Sequence, residues 1–172
     1  MQTLRRLAAW DEAVLLRVSR WQRPVATRAL RGVTHLGDSL SLTFLGLVLI
    51  LADLPATRHL AWRLALGAGG AALAAQALKR VLRRRRPTSG IAGFTALVQN
   101  PDAFSFPSGH TAAAVGLAVA WAGEGSGLGA LVAGLALLVG CSRVYLGAHY
   151  PLDVMAGTVL GLGAGALARL LG

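Results

Sequence analysis

The sequence predicts an all-α fold, a polytopic bundle of helices set in a membrane. Three observations point there. Apolar residues make up 55% of the 172 residues and charged ones only 14%, a balance foreign to soluble domains. Glycine is abundant, at 22 residues, and small residues let helices approach closely in lipid. Five apolar stretches, 36–54, 60–79, 109–123, 128–146 and 152–171, are each near the length a bilayer requires.

Residues 1–31 stand apart from a membrane domain over 32–172. Leu4, Leu7, Val14, Leu15, Val18 and Trp21 recur at helical spacing, and Asp11 breaks the stripe. Arg5, Arg6, Arg17, Arg20 and Arg23 lie among them. Crossing a bilayer would place Asp11, Glu12 and Arg17 in lipid at about 3 kcal/mol each, against about 5 kcal/mol recovered from the apolar residues. An amphipathic helix lying in the interface and broken near Pro24 is therefore expected, and a sixth span packed on the other five is the alternative. The same charges interrupt any apolar core of a cleavable signal peptide, so none is expected.

The first span begins after Asp38, its expected N-cap. The second follows a turn at Thr57–His59. A long loop from about 83 to 107 opens with four arginines and holds an apolar patch, Ile91, Phe94, Leu97 and Val98, suited to dip into the interface as a lid. The third span starts after Ser108, and a turn at Glu124–Gly127 leads to the fourth. A short loop around 147–151 leads to the fifth, where Gly157, Gly161 and Gly165 form a double GxxxG read as close packing.

The net charge is +10. No soluble domain carries a basic face, so nucleic acid is not an expected partner; anionic membrane lipids and a phosphorylated lipid substrate are. Cys141 is the only cysteine. It can form no intramolecular disulfide and reads as a small core residue.

Chemistry-bearing residues gather at the helix ends. Lys79 and Arg86 are seven apart, close to two helical turns, with Pro87 expected to stop that helix after Arg86. In Pro107-Ser108-Gly109-His110, Ser108 suits an N-cap and Gly109 leaves room for a ligand. The free N–H groups of a helix start suit an anion, and His110 then falls beside it. Arg143 suits phosphate oxygens through its paired donors. His149 lies four residues before Asp153, and a histidine held by a carboxylate is a nucleophile or a general base. In an up-down bundle these helix ends share one face. His35 and His59 do not fit the site. No zinc, calcium or P-loop pattern is present, so no metal and no cofactor is expected.

With these residues in place, the chain resembles the type 2 phosphatidic acid phosphatase (PAP2) family. That family carries KxxxxxxRP, PSGH and SRxxxxxHxxxD in this order, read here as Lys79…Arg86-Pro87, Pro107–His110 and Ser142-Arg143…His149…Asp153. The resemblance implies that His149 attacks phosphorus to give a phosphohistidine, that His110 protonates the leaving oxygen and that Asp153 orients His149. Lys79, Arg86, Ser108, the Gly109 backbone and Arg143 would hold the phosphoryl oxygens. It also implies metal-independent catalysis, a six-helix core, and a lipid phosphatase acting on a polyprenyl pyrophosphate such as undecaprenyl pyrophosphate, or on phosphatidic acid or phosphatidylglycerophosphate. Transfer to another lipid would use the same intermediate. Vanadium haloperoxidases resemble the same motif set but are large soluble proteins, and a non-enzymatic lipid-binding protein does not need the complete set. Arg84 and Arg85 are expected to meet anionic headgroups. The expected location is the cell inner membrane, with the active face extracytoplasmic as in the bacterial proteins it resembles, although the count of positive charges points that face inward.

Overall fold

A computed structural model of the protein describes residues 2–52, 55–87, 91–100, 102–122 and 127–171. It is helical almost throughout. Helix α1 spans Gln2–Ser19 and α2 spans Pro24–Thr34. Pro24 occupies the first turn of α2, where its missing N–H is not needed, so the expected break falls there. After a 3₁₀ turn at His35–Gly37, α3 runs over Ser39–Leu51. Asp38 caps it, its Oδ1 accepting from the Ser41 N–H at 2.8 Å and its Oδ2 meeting His35 Nδ1 at 2.9 Å.

Helix α4, Pro55–Leu64, passes through a π-helical turn at Ala65–Gly69 into α5, Gly70–Leu82. Thr57–His59 thus lie within α4 rather than in a turn. Helices α6, Gly109–Trp121, α7, Leu128–Tyr145, and α8, Pro151–Leu171, complete the fold. Most of the expected turn at Glu124–Gly127 lies outside the described residues.

The five expected spans reduce to two. Among the described residues, only α7 and α8 are both long and apolar enough to cross a bilayer, with α6 a shorter apolar helix. A bilayer needs about 20 residues. Helix α3 has 13 and α6 has 13. The 60–79 stretch is divided by the π turn, and its first half carries Arg63 on α4, directly after Arg58 and His59. Hydropathy averaged over a window does not register those interruptions.

Small residues form the interior. Ala71, Ala75, Ala112, Ala113 and Ala120 are buried, whereas Leu137, Met155, Val159, Leu162, Leu167 and Leu170 point outward. That inversion suits a protein surrounded by lipid tails. The glycines of α8 carry a close helix contact, as their spacing predicts. A Cβ on Gly157 would lie 2.5 Å from the Ser108 carbonyl oxygen, and one on Gly161 would lie 2.6 Å from that of Ala112. Gly165 would meet Val119 Cβ at 2.6 Å. Gly67 in the π turn and Gly116 of α6 pack backbone to backbone in the same way. Cys141 is exposed on α7, not in the core as expected, because alanine and glycine occupy the helix contacts.

Helix α1 lies on α7 and α8 and turns an unexpected face inward. Leu15 is fully buried and so is Asp11, while Trp21 and Trp10 are exposed. The residue that breaks the apolar stripe is therefore the one the fold encloses.

Candidate active site

The chain assembles the site at one end of the bundle. Lys79 stands in the last turn of α5, which closes at Arg83 in the left-handed region (φ 46°), with the Arg83 N–H on the Lys79 carbonyl at 3.1 Å. The helix thus ends before Arg86, not after it as the motif spacing suggests. A left-handed non-glycine residue costs about 1 kcal/mol or more, and here it turns the chain sharply. Arg84–Arg86 then run extended, tied to the far end of the loop by the Ser105 N–H on the Arg84 carbonyl at 2.8 Å and by a bridge between Arg85 and Phe104. Side chains alternate along extended backbone. Arg84 and Arg86 turn inward and Arg85 is exposed.

His149 sits on the turn between α7 and α8 and is 1% exposed. Its Nε2 faces the Arg86 guanidinium at 3.2 Å. Arg86 also donates to the Ala148 carbonyl at 2.7 Å and pairs with Asp102. Lys79 Nζ meets the same carboxylate at 2.7 Å. So Lys79 and Arg86 do converge, but on an aspartate that no motif marks. Arg143, in the last turn of α7, donates to Thr34 Oγ1 and to Asn100 Oδ1, each at 2.7 Å. Its carbonyl accepts from the N–H groups of Ala148 and His149 at 3.0 and 3.2 Å, so the arginine's own backbone shapes the histidine turn.

Asp153, in the first turn of α8, is fully buried. Its Oδ2 stands 3.6 Å from His149 Nδ1, beyond hydrogen-bond range, and the Ser105 backbone also lies beside the ring. The α6 motif is joined to α8 by the Ser108 N–H on the Asp153 carbonyl at 2.9 Å. Ser108 is the N-cap of α6, as expected, but its buried hydroxyl is occupied by the Thr111 N–H and hydroxyl at 3.4 and 2.9 Å. The position for a Cβ on Gly109 is open space. His110 follows in the first turn, its backbone packed on Gly37 of the 3₁₀ turn.

Burial, then the charges of Arg143, Arg86 and Lys79, hold the His149 imidazole well below its ordinary value, so the ring is neutral. A neutral imidazole beside fixed cations can donate a lone pair to a phosphorus those cations hold. Burial pushes Asp102 up, but hydrogen bonds from Lys79 and Arg86 outweigh it and keep its carboxyl below the usual range.

The loop is not a free lid. Phe94 lies against Gly147, where a Cβ would come within 2.5 Å of its ring, and the Leu97 N–H bonds the Leu146 carbonyl at 2.9 Å. A cleft of about 1060 Å³ between loop residues opens onto Arg86, Asn100 and Asp102. An apolar cavity of about 340 Å³ lies between α3, α6 and α7, lined by Leu42, Leu45, Ala114, Leu117, Trp121 and Leu135. Ala114, Leu117 and Trp121 continue down α6 from His110 at helical spacing, so the cavity runs along the histidine's own stripe.

Four residues of the site escape sequence reasoning: Asn100, Asp102, Asp11 and Thr34. Asp11 did carry a signal, since a carboxylate on an apolar stripe demands a buried cation. Arg84 needs a different role from the one its exposure was expected to give. It is enclosed between Asp11, Asp153 and the Tyr150 ring.

Residues 60–171 match the sequence model of the PAP2 superfamily. The chain is 35% identical over 157 residues to decaprenylphosphoryl-5-phosphoribose phosphatase of Mycobacterium tuberculosis, covering 87% of this chain and 82% of that protein. The fold is similar to the crystal structure of a transmembrane PAP2 type phosphatidylglycerolphosphate phosphatase from Bacillus subtilis, with a TM-score of 0.79 and 28% identity over 96% of this chain and 85% of that one. It is similar also to Aquifex aeolicus LpxE, with a TM-score of 0.79 and 25% identity over 91% and 92% of the two chains. A match over most of the chain, with the three motifs meeting around one buried histidine, makes this chain a member of the PAP2 superfamily.

Proposed function

We propose that this PAP2-type phosphatase removes phosphate from a membrane-anchored phosphomonoester or pyrophosphate through a phosphohistidine on His149. The observation that carries the reading is the neutral, buried His149 ring with Nε2 directed at the Arg86 guanidinium. Phosphorus held by Lys79, Arg86 and Arg143 would lie within reach of Nε2. The Nε2–P bond forms as the P–O bond to the lipid breaks, and His110 gives its proton to the departing oxygen. Water then attacks the phosphohistidine, His110 takes the water's proton, and inorganic phosphate leaves. Nδ1 keeps its proton throughout and faces Asp153. The free Gly109 backbone and the start of α6 add donors for the charge that gathers on the equatorial oxygens.

The apolar cavity between α3, α6 and α7 supports a lipid substrate, because its α6 lining, Ala114, Leu117 and Trp121, follows His110 at helical spacing. The similarity to a decaprenylphosphoryl-5-phosphoribose phosphatase favours a polyprenyl-linked phosphate, with undecaprenyl pyrophosphate, phosphatidic acid and phosphatidylglycerophosphate as further candidates. We place residues 1–31 at the interface and the active face on the extracytoplasmic side of the inner membrane. Transfer to a second lipid would differ only in the acceptor.

The test is phosphate release from phosphorylated lipids by protein purified in detergent, with EDTA present. Release continues under chelation, because fixed cations supply the positive charge. His149→Ala abolishes both turnover and the acid-labile phosphoenzyme, whereas His110→Ala slows departure, most for poor leaving groups. Labelling that survives in His149→Ala overturns the assignment.

A further inference from the structure

The geometry points to Asp11 and Arg84 as positioning residues for the phosphoryl transfer, which makes the N-terminal helix part of the catalytic apparatus. This inference rests on the reading of His149 as nucleophile with Asp153 behind it. Asp153 spends both oxygens before it reaches the histidine. Its Oδ2 accepts from the Tyr150 N–H at 2.9 Å, and its Oδ1 accepts from Arg84 at 2.8 Å. The carboxylate that must face Nδ1 is thus aimed by an arginine.

Arg84 is itself held on two further sides. Its second nitrogen donates to Asp11 Oδ2 at 2.5 Å, and its guanidinium carbon stacks 4.1 Å from the Tyr150 ring centroid. Asp11 is fully buried and belongs to α1, 73 residues away in the chain. Its other oxygen accepts from the Leu152 N–H at 2.9 Å, at the start of α8. The first N–H groups of a helix lack partners within it, and here a carboxylate from a separate helix supplies one. Asp11 therefore fixes Arg84 and the backbone that carries Asp153 in one grip. The chain Asp11–Arg84–Asp153 runs from α1 through side chains alone to the Nδ1 edge of His149, opposite the reacting Nε2.

A solvated surface pair would not explain these contacts. One guanidinium bridges two carboxylates that are both fully enclosed, and losing it leaves buried charge unpaired. Arg85, exposed beside it, supplies the internal control.

The experiment is steady-state and single-turnover kinetics on Arg84→Ala, Arg84→Lys, Asp11→Asn and Arg85→Ala in detergent, expressed per monodisperse folded molecule. A phosphorylated lipid serves as substrate. Arg84→Ala lowers kcat and the rate of phosphoenzyme formation by about tenfold to a hundredfold, as removal of a partner that orients a catalytic histidine does. KM stays within about twofold, because Arg84 touches no substrate oxygen. Arg84→Lys restores part of the loss, Asp11→Asn lowers kcat in the same sense, and Arg85→Ala leaves kcat unchanged. Should Arg84→Ala not fold, Asp11→Asn, which keeps the shape and one of the two acceptors, decides the matter. Wild-type kcat in both Arg84→Ala and Asp11→Asn, or a loss in KM alone, overturns the inference. A phosphoenzyme that persists in His149→Ala overturns the nucleophile assignment instead, so the two failures are separate.

Discussion

Burial acts first on the His149 ring, and three cations, Arg143, Arg86 and Lys79, add to its effect. All disfavour the imidazolium. In histidine-labelled protein followed by NMR, the His149 midpoint is expected below 6.5, its ordinary value. Arg143→Gln removes one positive charge and raises the midpoint, since less repulsion then opposes protonation. A wild-type midpoint at or above 6.5 contradicts the reading. The same residues divide by task in kinetics. Arg86 touches Nε2 and Arg143 frames the turn beside it, so Arg86→Ala and Arg143→Ala are expected to lower kcat by about a hundredfold to a thousandfold. Arg85→Ala, at an exposed side chain, is expected to change apparent KM in anionic vesicles by about tenfold or less. Comparable kcat losses in all three variants would dissolve the distinction. The residues of the PAP2 motifs were legible in the sequence because phosphate chemistry dictates arginine, histidine and carboxylate at short spacing. Asn100 and Asp102 were not, because their partners lie 43, 23 and 16 residues away and no local pattern marks them; Asp11 showed only as a break in an apolar stripe, with its partners 73 and 141 residues away.

Helices α6 and α8 set the distance on which the site depends. The Ser108 N–H reaches the Asp153 carbonyl only because Gly157 and Gly161 let the two backbones touch. Gly161→Val would drive side-chain carbon into the Ala112 carbonyl at 2.6 Å and Val115 Cβ at 2.7 Å. Backbone cannot yield as a flexible side chain does, and overpacking of this kind costs about 1–3 kcal/mol. A lower Tm in detergent and a lower kcat are expected together. Gly163→Ala, on the open side of α8, is expected to leave both unchanged or raise Tm slightly. Equal behaviour of the two variants would refute the close-packing account. Helix α8 was readable from its glycine spacing alone. The end of α5 was not: Pro87 marks a stop, yet a left-handed Arg83 ends the helix at Leu82, a choice made by the returning loop rather than by local propensity. The count of spans failed for a related reason, since a π turn in the middle of an apolar stretch leaves its mean hydropathy intact.

Across the whole molecule, polar chemistry occupies one end of the bundle and an apolar cavity runs beneath it. A substrate tail in the cavity between α3, α6 and α7 leaves lipid for protein at little cost, while a short-chain substrate leaves water. Each buried CH₂ is worth about 0.8 kcal/mol, roughly fourfold in kcat/KM. For soluble substrates of graded chain length, kcat/KM is therefore expected to climb steeply and then level off as the cavity of about 340 Å³ fills. Ala114→Leu, which narrows it, brings the plateau to shorter chains and leaves a headgroup-only phosphate unaffected. A chain-length profile identical in wild type and variant would place the tail elsewhere.

Asp102 gives the resting site an anion of its own. Any phosphate that binds Lys79 and Arg86 competes with a carboxylate that is covalently present and always nearby. The same competition operates after hydrolysis, when inorganic phosphate must depart from a ring of cations that would otherwise retain it. A carboxylate that reclaims its partners would displace the product and keep release from limiting turnover. Asp102→Asn is then expected to lower the inhibition constant for inorganic phosphate and shift the slow step from chemistry toward release, seen as a burst in pre-steady-state traces with substrate in excess over enzyme. An inhibition constant unchanged from wild type would mean that Asp102 moves aside with the loop and takes no part in clearing the site.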